Sequence, residues 1–74
     1  MTRLGAGDRW LAGEPLDGVA FGHHASVCIM RGAHDGCVGR VTLLMSLGDD
    51  PLYLVTLGDG TDIRVRQSAL SASR

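Results

Sequence analysis

Leu52-Tyr53-Leu54-Val55-Thr56-Leu57-Gly58-Asp59-Gly60-Thr61-Asp62-Ile63-Arg64-Val65-Arg66 decides the fold of this chain. Tyr53, Val55 and Leu57 alternate with Leu54 and Thr56, the period of two that puts successive side chains on opposite faces of a strand. Gly58-Asp59-Gly60-Thr61 interrupts the run with a hairpin turn. Ile63 and Val65 then alternate with Arg64 and Arg66, one side apolar and the other charged. The stretch is two antiparallel strands joined by a tight turn.

The same pattern extends upstream. Val38 to Leu47 is a strand in which Val41, Leu43 and Met45 alternate with Arg40, Thr42 and Leu44. Gly48-Asp49-Asp50-Pro51 is the turn that follows. Val27 to Met30 is a first strand, with Val27 and Ile29 on one face, and Arg31 to Gly36 is a loop whose Asp35-Gly36 pair suits a positive-φ turn. After the fourth strand, Gln67 to Leu70 reads as a single helical turn, and residues 71–74 as a polar tail. A short-stranded sheet of this size gains from curling into a barrel that encloses its core. The expectation is an all-β fold: a small antiparallel barrel of four to five strands over residues 26–70.

Residues 1–25 are different material. Met1 to Gly22 holds five Gly and one Pro, and no period survives beyond one turn. Asp8 to Ala12 has the look of a helix start capped by Asp8, which Gly13 and Pro15 stop at once. Trp10, Leu11, Leu16, Val19 and Phe21 are too apolar for a free tail. An irregular arm folded over the barrel or a neighbouring subunit, anchored by Trp10, is the expectation. Trp10 and Leu11 are the candidates for contact with a partner.

Composition narrows the function. The 74 residues are one domain, and a chain of this length buries only about 60% of its unfolded surface, which favours self-association or a docked partner. Apolar residues make up 45%, away from the composition of disordered chains. All seven basic residues are Arg, yet the net charge is −1, and residues 26–74 carry five Arg against five Asp, so no general basic field is present for nucleic acid. The absence of a basic-then-apolar leader and of a long apolar run points to the cytoplasm.

With the strands placed, Val27-x-Ile29, Gly32, Gly36, Gly39 and Val41 resemble the KOW-type strand-loop-strand signature of SH3-like barrels. Tyr53-x-Val55-x-Leu57, Asp59-Gly60, Val65 and Leu70 are similar to the remainder of that barrel. The resemblance implies an SH3-like fold and, for KOW relatives, contacts to RNA or protein through the loop that here carries Arg31 and His34. Peptide-binding SH3 domains line a groove with paired aromatics, whereas Trp10, Phe21 and Tyr53 are the only aromatics here. Type II plasmid-borne dihydrofolate reductases are similar in size and layout. Their Val-Gln-Ile-Tyr strand corresponds to Ile63-Arg64-Val65-Arg66, which removes the reductase residues.

Two arginines at i and i+2, Arg64 and Arg66, share one face of a strand, and Arg40 and Arg31 extend it into a candidate stripe. Guanidinium forks there suit phosphate or carboxylate, and the alternative is a solvated face paired with Asp49, Asp59 or Asp62. Arg31, His34, Arg40, Arg64 and Arg66 are therefore the candidate ligand or nucleic-acid residues. His23, His24, His34, Cys28 and Cys37 are the available soft ligands, but no tight Cys-x-x-Cys pair announces a metal site, so neither metal nor cofactor is expected. No catalytic constellation stands out, since His34 and Cys37 lack an orienting third group beyond Asp35. The reading is a small binding or accessory module acting through protein–protein contacts, expected to be oligomeric. A KOW-like nucleic-acid binder is the alternative, and an oligomeric enzyme with an interface pocket the second.

Overall fold

The computed structural model describes residues 5–73. Five antiparallel strands make up most of its regular secondary structure: β1 (Ser26–Ile29), β2 (Val38–Ser46), β3 (Leu52–Leu57), β4 (Asp62–Arg66) and β5 (Leu70–Ala72). A short helix, α1 (Ala6–Leu11), precedes them, and a 3₁₀ turn (Gln67–Ala69) separates β4 from β5. The strand order is β4-β3-β2-β1-β5, a linear ladder whose two ends are β4 and β5. The last strand runs on through Ser71 and Ala72, into the segment that reads as a polar tail, because pairing with β1 sets Cys28 opposite Ser71 and Val27 opposite Ala72.

The β3–β4 hairpin forms as its sequence dictates. Leu57 and Thr61 close it, with the Leu57 N–H on the Thr61 carbonyl at 2.8 Å, while the Asp59 carboxylate accepts the Thr61 N–H at 3.0 Å. Gly60 takes φ 90°, a conformation that side chains bearing a Cβ rarely adopt.

On β2 the expected alternation of Val41, Leu43 and Met45 on one face does not hold. The register runs Val41 to Val55 and then Leu43 to Leu54, so Thr42 is an extra residue, and a second slip between Leu44 and Ser46 inserts Met45. A β-bulge of this kind moves every later side chain to the other face. Val41 and Leu44 therefore point into the core, while Leu43 is 40% exposed and Met45 39%.

The core holds Val27, Ile29, Val41, Leu44, Tyr53, Val55, Leu57, Val65 and Leu70, together with Trp10 from the arm. Gly39 lies within it at the crossing of three strands, opposite Val27 on β1 and Leu57 on β3. A Cβ there would stand 2.7 Å from both the Thr56 carbonyl oxygen and Val55 Cγ1, so β2 can lie this close to β3 only with glycine at that point.

The arm is docked. Helix α1 starts from Gly5 rather than Asp8, which sits inside its first turn, because Asp8 makes no side-chain capping bond. It ends in the Schellman pattern, with the Gly13 N–H on the Trp10 carbonyl and the Glu14 N–H on that of Arg9. Trp10 is 2% exposed, and its indole N–H donates to the Phe21 carbonyl at 2.8 Å. Phe21 in turn meets Tyr53 edge to face at 5.8 Å. Gln67 completes the attachment. Its Nε2 donates to the Gly18 carbonyl at 3.1 Å, and its Oε1 accepts the Ala20 N–H at 2.9 Å.

Candidate functional site

Arginines project from β4 because its inward positions, Ile63 and Val65, are committed to the apolar interior and its outward ones are not. Opposite β4 lies the loop between β1 and β2, whose ends are fixed by two bonds. The Gly36 N–H reaches the Ile29 carbonyl at 2.7 Å, and the Ile29 N–H reaches the Cys37 carbonyl at 2.8 Å. Between loop and strand runs an open groove of about 600 Å³. Ile29, Ile63, Val65 and Ala69 give it an apolar floor, and Arg31, His34, Arg64 and Arg66 stand along it.

Four of the five candidate ligand residues, Arg31, His34, Arg64 and Arg66, thus meet around one groove. The fifth does not. Arg40 lines a separate hollow of about 450 Å³ together with His24 and Gly58. Within that hollow the Thr56 hydroxyl donates to Asp62 at 2.6 Å, so the Thr42 hydroxyl, 2.7 Å away, must be the donor to Thr56.

The arginines of the groove form no ion pair among the described residues. The only ion pair among the described residues joins Arg9 to Glu14 at 3.4 Å. None of the expected pairings of the stripe with Asp49, Asp59 or Asp62 forms there. No carboxylate lines the groove. Asp50 stands near its end, and Ser68 holds it: the Ser68 hydroxyl donates to one carboxylate oxygen at 2.6 Å and its backbone N–H to the other at 2.8 Å. Those bonds hold the Asp50 carboxyl below its ordinary value, with smaller contributions from Arg66 and Arg31. Arg66 Nη1 donates to the Asp50 carbonyl at 3.1 Å, which fixes the guanidinium at the groove's end.

One further property of the groove comes from the backbone. Leu57 pairs with Thr61 by hydrogen bonds, and the Gln67 N–H binds the Pro51 carbonyl at 2.8 Å. Antiparallel strands alternate bonded and non-bonded pairs. The β4 residues bonded to β3 are therefore Ile63 and Val65, and the N–H and C=O groups of Asp62, Arg64 and Arg66 face away from the sheet. No other strand among the described residues pairs with them, and the Arg66 carbonyl is taken by the 3₁₀ turn that it caps.

The other candidates are dispersed. Trp10 is consumed in the core of its own chain and keeps no face for a partner, whereas Leu11 beside it is 45% exposed. His23 and His24 stack at 3.6 Å between ring centres, and Trp10 leans on His23 at 5.4 Å. Among the described residues no three His, Cys, Asp or Glu side chains come together as a metal site. Cys28 and Cys37 are both free thiols, the first half-buried and the second exposed. Leu43, Met45 and Leu47 leave an exposed apolar run at the end of β2. Among the described residues no helix is long and apolar enough to cross a membrane. The sequence reading missed Asp50 and Gln67, for which a turn signature and a helical turn were the only local signals.

No protein-family model, curated protein or solved structure matches this chain.

Proposed function

We propose that the protein is a small SH3-like binding module that recognises an anionic partner protein through the groove between the β1–β2 loop and β4. The observation that carries this reading is the set of Arg31, Arg64 and Arg66, without an ion-pair partner among the described residues, beside an apolar floor. Guanidinium forks bind carboxylates in pairs, those of Arg31 and Arg64 are unused among the described residues and that of Arg66 gives one N–H to the Asp50 carbonyl, and the apolar floor adds contact area that a purely ionic surface lacks. The strand order, with a 3₁₀ turn ahead of the last strand, supports the SH3-like part of the proposal. The two unbridged cysteines agree with a cytoplasmic setting. The exposed run of Leu43, Met45 and Leu47 is an apolar surface suited to self-association or docking on a larger protein.

Nucleic acid receives less support. Arg40 lies away from the groove, no Phe, Tyr or Trp lines it for base stacking, and the chain's net charge is −1. A titration tests the choice. A fluorescent Glu-rich peptide is expected to bind the protein at low salt and to be lost in the double variant Arg31→Glu/Arg64→Glu. A single-stranded oligonucleotide that bound more tightly than the peptide, with a steep salt dependence, would overturn the reading.

A further inference from the structure

We infer that the groove takes its partner as an extended strand added to the free edge of β4, and that the partner segment alternates acidic and apolar residues. The inference rests on the proposal that the groove binds an anionic protein, and says how it does so.

The edge itself is the first argument. Asp62 and Arg64 present their N–H and C=O groups outward, and Arg66 its N–H, with no strand among the described residues paired to them; the Arg66 carbonyl is taken by the 3₁₀ turn that it caps. A peptide backbone supplies the complementary acceptors and donors in the same alternation. A phosphodiester backbone supplies acceptors alone and leaves the edge carbonyls unmatched. The β4 edge therefore fits a polypeptide better than a nucleic acid.

Side-chain chemistry sets the sequence of that polypeptide. In an added strand, residues on the outward face stand beside Arg64 and Arg66, and the intervening residues stand beside Ile63 and Val65. The first set is matched by Glu or Asp and the second by Val, Ile or Leu. Arg31 and His34, across the groove, reinforce the demand for negative charge. A second copy of this chain is a poor occupant. Pairing β4 with β4 antiparallel would set Arg64 against Arg64 or Arg66 of the other copy, a like-charge contact that Asp62 opposite Arg66 offsets only in the first of these registers. The other ladder end, β5, is Leu70-Ser71-Ala72 and brings no acid.

The test uses the whole chain and a fluorescein-labelled peptide of alternating Glu and Val, followed by anisotropy. Two further peptides carry N-methyl groups on one or the other alternate set of residues. Only one set of N–H groups can face β4, so one methylated peptide is expected to bind like the parent and the other at least about tenfold more weakly. In the same titration, amide exchange at Arg64 and Arg66 is expected to slow on binding of the parent peptide. Equal binding by both methylated peptides, or loss by both, would overturn strand addition while leaving an anionic groove intact. Failure of the parent peptide to bind would remove both ideas. A shift to dimer in light scattering without peptide, accompanied by protection of the same amides, would assign the edge to self-pairing and overturn the inference as well.

Discussion

The phenolic hydroxyl of Tyr53 donates to Oε1 of Gln67 at 2.5 Å, joining the centre of the sheet to the 3₁₀ turn. The same oxygen takes the Ala20 N–H, and the amide nitrogen of Gln67 holds the Gly18 carbonyl. One side chain therefore satisfies three polar groups that come from two distant parts of the chain. Replacing Gln67 with Ala strands them together. The expected loss is about 1 kcal/mol, carried mainly by the part-buried Tyr53 hydroxyl, since the Gly18 and Ala20 groups are exposed and open to water. Urea unfolding followed by circular dichroism checks it, and a change below the noise of the midpoint would show that water replaces the amide freely.

Trp10 is the only tryptophan and lies in the core, so its fluorescence reports the docked arm directly. Native emission is expected to be blue-shifted and to move red as the arm leaves. Trp10→Ala should cost about 3–5 kcal/mol. For a domain this small that is enough to leave much of it unfolded at room temperature. Emission at the wavelength of free tryptophan in the untreated protein would contradict the docked arm.

Gly39→Ala introduces a methyl 2.7 Å from backbone and side-chain atoms of β3, and the rigid Thr56 carbonyl cannot step aside as a flexible side chain would. Overpacking of this kind costs about 1–3 kcal/mol. Because Gly39 sits opposite Leu57 beside the β3–β4 turn, hydrogen exchange should rise first around those residues. A midpoint as high as that of the parent protein would mean that the strands separate at no cost.

Acid should loosen the groove's end before it unfolds the core. The Asp50 carboxyl is held below its ordinary value, chiefly by the Ser68 hydroxyl and then by its N–H. A depressed carboxyl contributes stability that is present above its unfolded value, near 3.8, and is lost as the pH falls through the lower folded value. Asp50→Asn should remove that portion of the acid dependence. An unchanged slope of stability against pH below 4 in the variant would mean that the carboxylate does not hold the turn. Tyr53 acts at the other end. Burial raises its phenol, so its share of stability is complete below its unfolded value of 10.0 and is lost as the pH rises through the folded one.

The thiols should separate by accessibility. Cys37 is exposed and Cys28 half-buried, and the register sets Cys28 opposite Val38, while it is Ile29 that bonds Cys37. A thiol reagent in the native protein is expected to modify Cys37 first, with Cys28 following at a rate tied to local opening. Equal rates would mean that β5 parts readily from β1.

How much of this was legible beforehand follows from how local each signal is. The β3–β4 hairpin is written in adjacent residues, and Leu52–Leu57 is read to the residue because its alternation and its turn agree. The β2 face is misread because Thr42 looks like any alternating polar residue, and a bulge is imposed by the partner strand rather than by its own sequence. Strand β5 is hidden for a related reason: Ser71 and Ala72 have little strand character and are extended because β1 is there to pair with. Arg64 and Arg66 were visible as a pair from their spacing alone. That Arg31 and His34 join them and Arg40 does not depends on how the ladder coils, which no short stretch encodes. Gln67 carries no pattern at all, since its three partners lie 14 to 49 residues away.

That last separation has a consequence for how the chain is made. Synthesis delivers Trp10, Gly18 and Ala20 long before Gln67, and Tyr53 only shortly before it. Until Gln67 leaves the ribosome the nascent arm has no polar clasp, and its indole and phenyl rings have only a partial sheet to cover. The arm is thus made well before the residue that secures it, and the interval is when a chaperone or a neighbouring chain has its best access to Trp10.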